Sequence, residues 1–235
     1  MTQTNTERAK VDLSFAPAWS AEVLSSPPMI APARQFVYPR QVAGEEDALA
    51  RGALLLMVRP HPPKENTGIL SDETAQNDGN GNDDGNGKND CNDKNTIISP
   101  FLATCARGFA DLAMPTGVWS CPNPAEMCAV AGGYAYMVNV LRPEQCVQIS
   151  FRPVVEVRVL PEDGLLLFAG FHALQAWGAD GLLWETKRLT WEGVRIAEIS
   201  GGKVHGFGWE MRSDKELAFT VDLQTGEHTG GAWQA

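Results

Sequence analysis

Ala131-Gly132-Gly133-Tyr134-Ala135-Tyr136 and Ala169-Gly170-Phe171-His172-Ala173-Leu174 share one pattern, and a third glycine, Gly208, continues their spacing of 38 residues. Each glycine interrupts apolar and aromatic residues that read as strands. Glycine in such a place marks a bulge or the close approach of another segment, so the spacing predicts one β-unit used several times.

Outward from these glycines, short apolar runs alternate with turn signals such as Asp163-Gly164, Asp180-Gly181, Gly201-Gly202 and Thr225-Gly226. We expect strands over 127–130, 134–140, 154–160, 165–171, 173–177, 182–186, 194–199, 203–209, 217–222 and 227–231, with 53–59 and 97–106 upstream. The expected fold is all-β: propeller-like repeated antiparallel meanders of about four units, with a β-sandwich or an open β-meander stack as the alternatives.

The stretch Leu165-Leu166-Leu167-Phe168-Ala169-Gly170-Phe171-His172-Ala173-Leu174-Gln175-Ala176-Trp177-Gly178-Ala179-Asp180-Gly181-Leu182-Leu183-Trp184-Glu185 resembles a blade of the quinoprotein-type β-propeller. In that family an apolar strand leads to glycine, a second strand carries Ala-Leu, a turn ends in glycine and a third strand carries Trp. Residues 204–231 resemble it more loosely, through Phe207-Gly208 and Asp222-Leu223-Gln224-Thr225-Gly226-Glu227, with an excursion at 211–216. Residues 130–149 resemble it again, with Arg142-Pro143-Glu144 in place of the glycine turn. The resemblance implies the architecture alone. We expect no cofactor, because the quinone-dependent enzymes of that family use a much larger ring than 235 residues supply.

Residues 1–44 carry Pro17, Pro27, Pro28, Pro32 and Pro39, too closely spaced for a long helix, and are expected to wrap the surface, pinned by Phe15, Trp19, Phe36 and Tyr38. Residues 45–51 read as a helical turn or two ended by Gly52. Residues 45–235 then make a single all-β repeat domain. Within it, at about 64–95, a run rich in Asn, Asp and Gly has too few apolar residues to offset its ordering entropy, which predicts a disordered insertion interrupting a hairpin.

A net charge of −10 without any basic run argues against nucleic acid as the main partner. No apolar run approaches the roughly 20 residues of a membrane span, and the first ten residues lack the apolar core of a secretion signal, so we expect a cytoplasmic protein without membrane contact. Cys91, Cys105, Cys121, Cys128 and Cys146 form no Cys-x-x-Cys pair and read as reduced, mostly buried thiols.

The insertion invites a calcium reading. Asn80, Asn82, Asp84 and Gly85 match the first, third, fifth and sixth places of a calcium loop, but Cys91 stands at the twelfth, where a bidentate Glu is needed. The expected metal is therefore none, with calcium at Asn80, Asn82 and Asp84 as the weak alternative. His61, His172, His205 and His228 lack ligand spacing, and no nucleophile elbow or phosphate-binding loop is present.

Trp177, Trp184, Trp191 and Trp209 form the densest aromatic cluster, and Trp191 stands between two expected strands. Large aromatics at a rim suit a partner, so Trp191 is the first candidate contact, followed by Trp177, Tyr134, His172 and His205, with burial between units as the other reading of Trp177 and Trp184. The expected function is a non-catalytic interaction or ligand-binding module, its partner a protein or a small molecule. The alternative is a hydrolase or lyase acting on a sugar-like substrate through Glu156, His172, His205 or Glu198, which requires those residues to converge in one polar pocket.

Overall fold

The computed structural model describes residues 9–38, 49–61, 99–111 and 113–233. Among these, the only helical element is a 3-10 turn at Leu49–Arg51, ended by Gly52 at φ +105°, whose N–H donates to the Leu49 carbonyl. Everything else that is regular is strand. In chain order these are β1 (Lys10–Asp12), β2 (Trp19–Leu24), β3 (Arg34–Tyr38), β4 (Ala53–Pro60), β5 (Phe101–Ala106) and β6 (Gly117–Ser120). Then follow β7 (Glu126–Ala131), β8 (Tyr134–Asn139), β9 (Cys146–Gln148), β10 (Val154–Leu160), β11 (Leu165–Gly170) and β12 (Leu174–Gly178). The last five are β13 (Gly181–Glu185), β14 (Glu192–Ser200), β15 (Lys203–Glu210), β16 (Lys215–Asp222) and β17 (His228–Gly230).

They form four sheets. Sheet I has the order β2-β4-β5-β3, sheet II β1-β6-β7-β8-β9, sheet III β10-β11-β12-β13 and sheet IV β14-β15-β16-β17. Sheets III and IV are sequential antiparallel meanders, and β6 to β9 make a third, to which β1 adds in parallel. The Pro-rich segment does more than lie along the surface. It supplies edge strands to two sheets: β1 to sheet II, parallel to β6, and to sheet I both β2, antiparallel to β4, and β3, parallel to β5.

The stacking order is written in the hydrophobic pattern. In β11 every residue is buried, and β7 and β8 are nearly so, whereas β4 and β15 alternate buried with more exposed positions. A strand covered on both faces reads as a continuous apolar run, and one covered on a single face alternates. Sheets II and III are accordingly the inner layers. Leu165, Leu167 and Ala169 face sheet IV, packing with Val194, Ile196, Val204 and Phe219. Leu166 and Phe168 face sheet II, packing with Trp119, Val130 and Met137. A third core, around Trp19, Leu56, Phe101, Met127 and Tyr136, joins sheets I and II.

No core cluster among the described residues joins sheet IV back to sheet I, and β17 pairs with β16 alone. The described strands thus close neither a barrel nor a ring. Strands β4 and β5 are antiparallel neighbours, so residues 61–100 connect two strands of one hairpin. The expected insertion at 64–95 lies outside the described residues, as do Asn80, Asn82 and Asp84. The stretch 211–216, read from the sequence as an excursion, is the β15–β16 hairpin loop plus the first residues of β16. There the Glu210 carboxylate accepts the Arg212 and Ser213 N–H groups, and Asp214 takes φ +52°.

Each of the three spaced glycines sits at or near the end of the second strand of its meander, and each receives the linker that precedes its sheet. At Gly132 a Cβ would strike the Phe109 carbonyl; at Gly170 it would stand 2.9 Å from the Phe151 ring; at Gly208, 2.5 Å from the Thr190 side chain. The residue after the glycine also binds across sheets. The Gly133 carbonyl accepts the Val154 N–H at 2.8 Å and the Phe171 carbonyl accepts the Val194 N–H at 3.3 Å, so the first strand of each following sheet hangs on the corner before it.

These contacts rank two substitutions. Gly132→Ala meets a fixed carbonyl at φ +53°, whereas Gly170→Ala meets a ring that can turn. We expect losses of about 3 kcal/mol and about 1–2 kcal/mol respectively in urea unfolding, from overpacking with and without a left-handed backbone penalty. Combining Gly170→Ala with Phe151→Leu should recover part of the second loss. Equal costs, or strict additivity in the double variant, would show that the corner contacts are not what these glycines serve.

Candidate functional site

The linker from sheet III to sheet IV, residues 186–191, is short and tightly bonded. The Leu189 N–H donates to the His172 carbonyl at 2.7 Å, and Thr190, fully buried, donates its hydroxyl to the Trp209 carbonyl at 2.7 Å. Leu189 is anchored further by the chain end, since the Ala232 and Trp233 N–H groups both donate to its carbonyl. Between these anchors the chain has little choice but to project Arg188 and Trp191 together.

Arg188 organises the rim. Its Nε donates to the Thr190 carbonyl at 2.9 Å and one Nη to the Trp191 carbonyl at 2.8 Å, while the same Nη lies 3.4 Å from His172 Nδ1. The guanidinium stands 4.3 Å from the Trp233 ring centroid and 5.7 Å from that of Trp191, and the two indoles meet edge to face at 4.5 Å. A guanidinium over an indole face is attracted by the ring quadrupole, so the three side chains hold one another in place.

Beside this stack opens a cleft of about 360 Å³. The linker from sheet II to sheet III (Ser150 to Pro153), the loop after β11 (Phe171 to Ala173), the last residue of β13 (Glu185) and the start of the sheet III–IV linker (Thr186, Arg188) line it. Ser150 donates its hydroxyl to Glu185 at 3.2 Å, and buried Thr186 accepts the Leu174 N–H at its Oγ1. A larger cavity of about 580 Å³ lies between sheets I and II, but its only ionisable lining residue, Arg107, donates to the Phe109 carbonyl.

Of the residues singled out from sequence, Trp191 and His172 come together through Arg188. The others do not join them. Trp177 is buried in the sheet II–III core, where its Nε1 donates to Glu126 at 2.9 Å. Tyr134 is buried too, edge-on to Phe109 at 6.0 Å. His205 lies on the outward face of sheet IV with Thr220 at 3.3 Å. Glu156 pairs with Arg158, and Glu198 stands opposite His205 in the β14–β15 register, on another sheet from His172. The four residues of the enzyme reading therefore do not share a pocket. Arg188, Trp233 and Phe151 carried no signal in sequence, because their roles come from a linker and a chain end that only the fold brings together.

Among the described residues no group of His, Cys, Asp and Glu is arranged to hold a metal, and no helix is long and apolar enough to cross a membrane. Compared with known proteins, the sequence matches no family model and no curated protein.

Cys105, Cys121 and Cys128 are buried and unpaired, and Cys146 is partly exposed. Burial pushes the three buried thiols well above their ordinary range, with Cys146 adding for Cys105 and Cys128 and Cys128 adding for Cys121. The thiolate is the reactive form, so iodoacetamide at pH 8 should spare these three in the native Cys91→Ser protein until denaturant is added, as read by mass spectrometry. Native labelling of Cys128 would contradict the packing of sheets II and III. At the rim, Trp233→Ala should cost about 1–3 kcal/mol in thermal or urea unfolding and alter the near-UV circular dichroism, because it removes both the indole pair and one face of the Arg188 stack.

Proposed function

We propose that the chain is a non-catalytic ligand- or partner-binding β-module whose four sheets act as propeller-like blades, with the binding site at the Arg188–Trp191–Trp233 rim. The blade reading is supported by three consecutive four-strand meanders, each with its glycine under the incoming linker. The single observation that carries the binding reading is the rim itself: two indoles and a guanidinium locked together beside an open cleft, at the loops between sheets. Rigid aromatic and Arg side chains at such a place lose little entropy on contact with a partner. The separation of Glu156, His172, His205 and Glu198 takes away the arrangement that the hydrolase or lyase reading needs. Buried unpaired thiols fit a reducing compartment, so we assign the protein to the cytoplasm.

The test is a screen of small sugars, amino acids, organic acids and nucleotides, followed through the ¹⁵N-indole signals of the native protein. The Trp191 and Trp233 signals are assigned by Trp→Phe variants. A binder should shift these two signals while leaving buried Trp119 unchanged, and should be recovered chemically intact. Conversion of any compound, or binding that moves only signals elsewhere, would overturn the proposal.

A further inference from the structure

We infer that the cleft beside the rim takes the oxyanion end, carboxylate or phosphate, of a small organic molecule; this rests on reading the cleft as a ligand site. The argument starts from the Arg188 charge. Two backbone carbonyls and two indole rings fix the plane of its guanidinium, but none of these partners carries a negative charge, and no carboxylate among the described residues pairs with it. In a chain of net charge −10, a guanidinium so held and so unpaired is a preformed anion contact. Its second Nη retains two N–H donors, the geometry that forks an oxyanion.

The neighbouring groups extend the site. His172 Nδ1 accepts from Arg188, which leaves the ring proton on Nε2 as a second donor. Thr186 uses its Oγ1 to accept the Leu174 N–H and keeps its hydroxyl proton to donate. Glu185, bonded to Ser150, gives the same cleft an acceptor for a hydroxyl or ammonium on the ligand, and Phe151 and Phe171 supply apolar wall. A volume of about 360 Å³ suits a small molecule bearing both features.

The experiment is calorimetric titration of the full chain at low ionic strength with succinate, inorganic phosphate and glucose, repeated on Arg188→Gln, His172→Ala and Lys187→Gln. Saturable binding of succinate or phosphate is expected, weakened about tenfold or more in Arg188→Gln, severalfold in His172→Ala and unchanged in Lys187→Gln. His172 is exposed, so its variant reports on the site even should Arg188→Gln unfold. Preference for succinate identifies a carboxylate ligand and preference for phosphate a phosphorylated one. Anion binding that survives both the Arg188 and His172 changes overturns the inference. So does silence of both anions, and the indole signals then separate the two readings: a neutral probe that still shifts Trp191 and Trp233 leaves the ligand site standing, whereas no shift with any probe removes both.

Discussion

The close approach of each inter-sheet linker to a glycine at the end of the next sheet's second strand is the contact on which the rest of the structure depends. A sheet alone cannot bury its faces, so the stack requires a fixed offset from one sheet to the next. Gly132, Gly170 and Gly208 provide it by admitting Phe109, Phe151 and Thr190 where any side chain would collide. The carbonyl one residue further on then binds the first strand of the following sheet at Gly133 and Phe171. Steric clearance and a hydrogen bond thus act at the same corner, one setting distance and the other setting register.

The rim is a by-product of that corner geometry. Because the sheet III–IV linker must cross Gly208, Leu189 and Thr190 are buried and bonded, and Arg188 before them and Trp191 after them are presented at the surface in a fixed relation. Arg188 closes the arrangement by bonding to the carbonyls of Thr190 and Trp191. The chain end adds Trp233 from the far side of the sequence. A rim assembled in this way needs no mobile loop, and its side chains hold one another in a fixed arrangement.

The order of the strands in the C-terminal half was legible because their burial follows directly from apolar pattern; the expected 154–160 coincides with β10, and the other expected strands from residue 127 onward differ from those observed by at most two residues at either end. The parallel edge strands β1 and β3 were not, since a short strand among prolines has no periodicity to distinguish it from coil. Strands β6 and β9, four and three residues long, fall below the same threshold. At the site, Trp191 and His172 were legible as an aromatic and a titratable group near turns. Tyr134 and Trp177 were drawn to the core instead, because large aromatics on inner strands gain more from burial than from exposure. Arg188 was illegible: an arginine in a linker looks like any solvated charge until its carbonyl partners are known.

The outward face of sheet IV differs in kind from the faces buried between sheets. Arg195 lies over the Phe207 ring at 4.7 Å and pairs with Glu216 at 2.6 Å, so a further sheet docking there would have to strip water from both charges. The Trp209 carbonyl, at the place where Gly133 and Phe171 receive the next strand, is already taken by Thr190 and Trp191. A layer with a wet face and its docking acceptor occupied from within disfavours face-to-face stacking with a second copy of this chain.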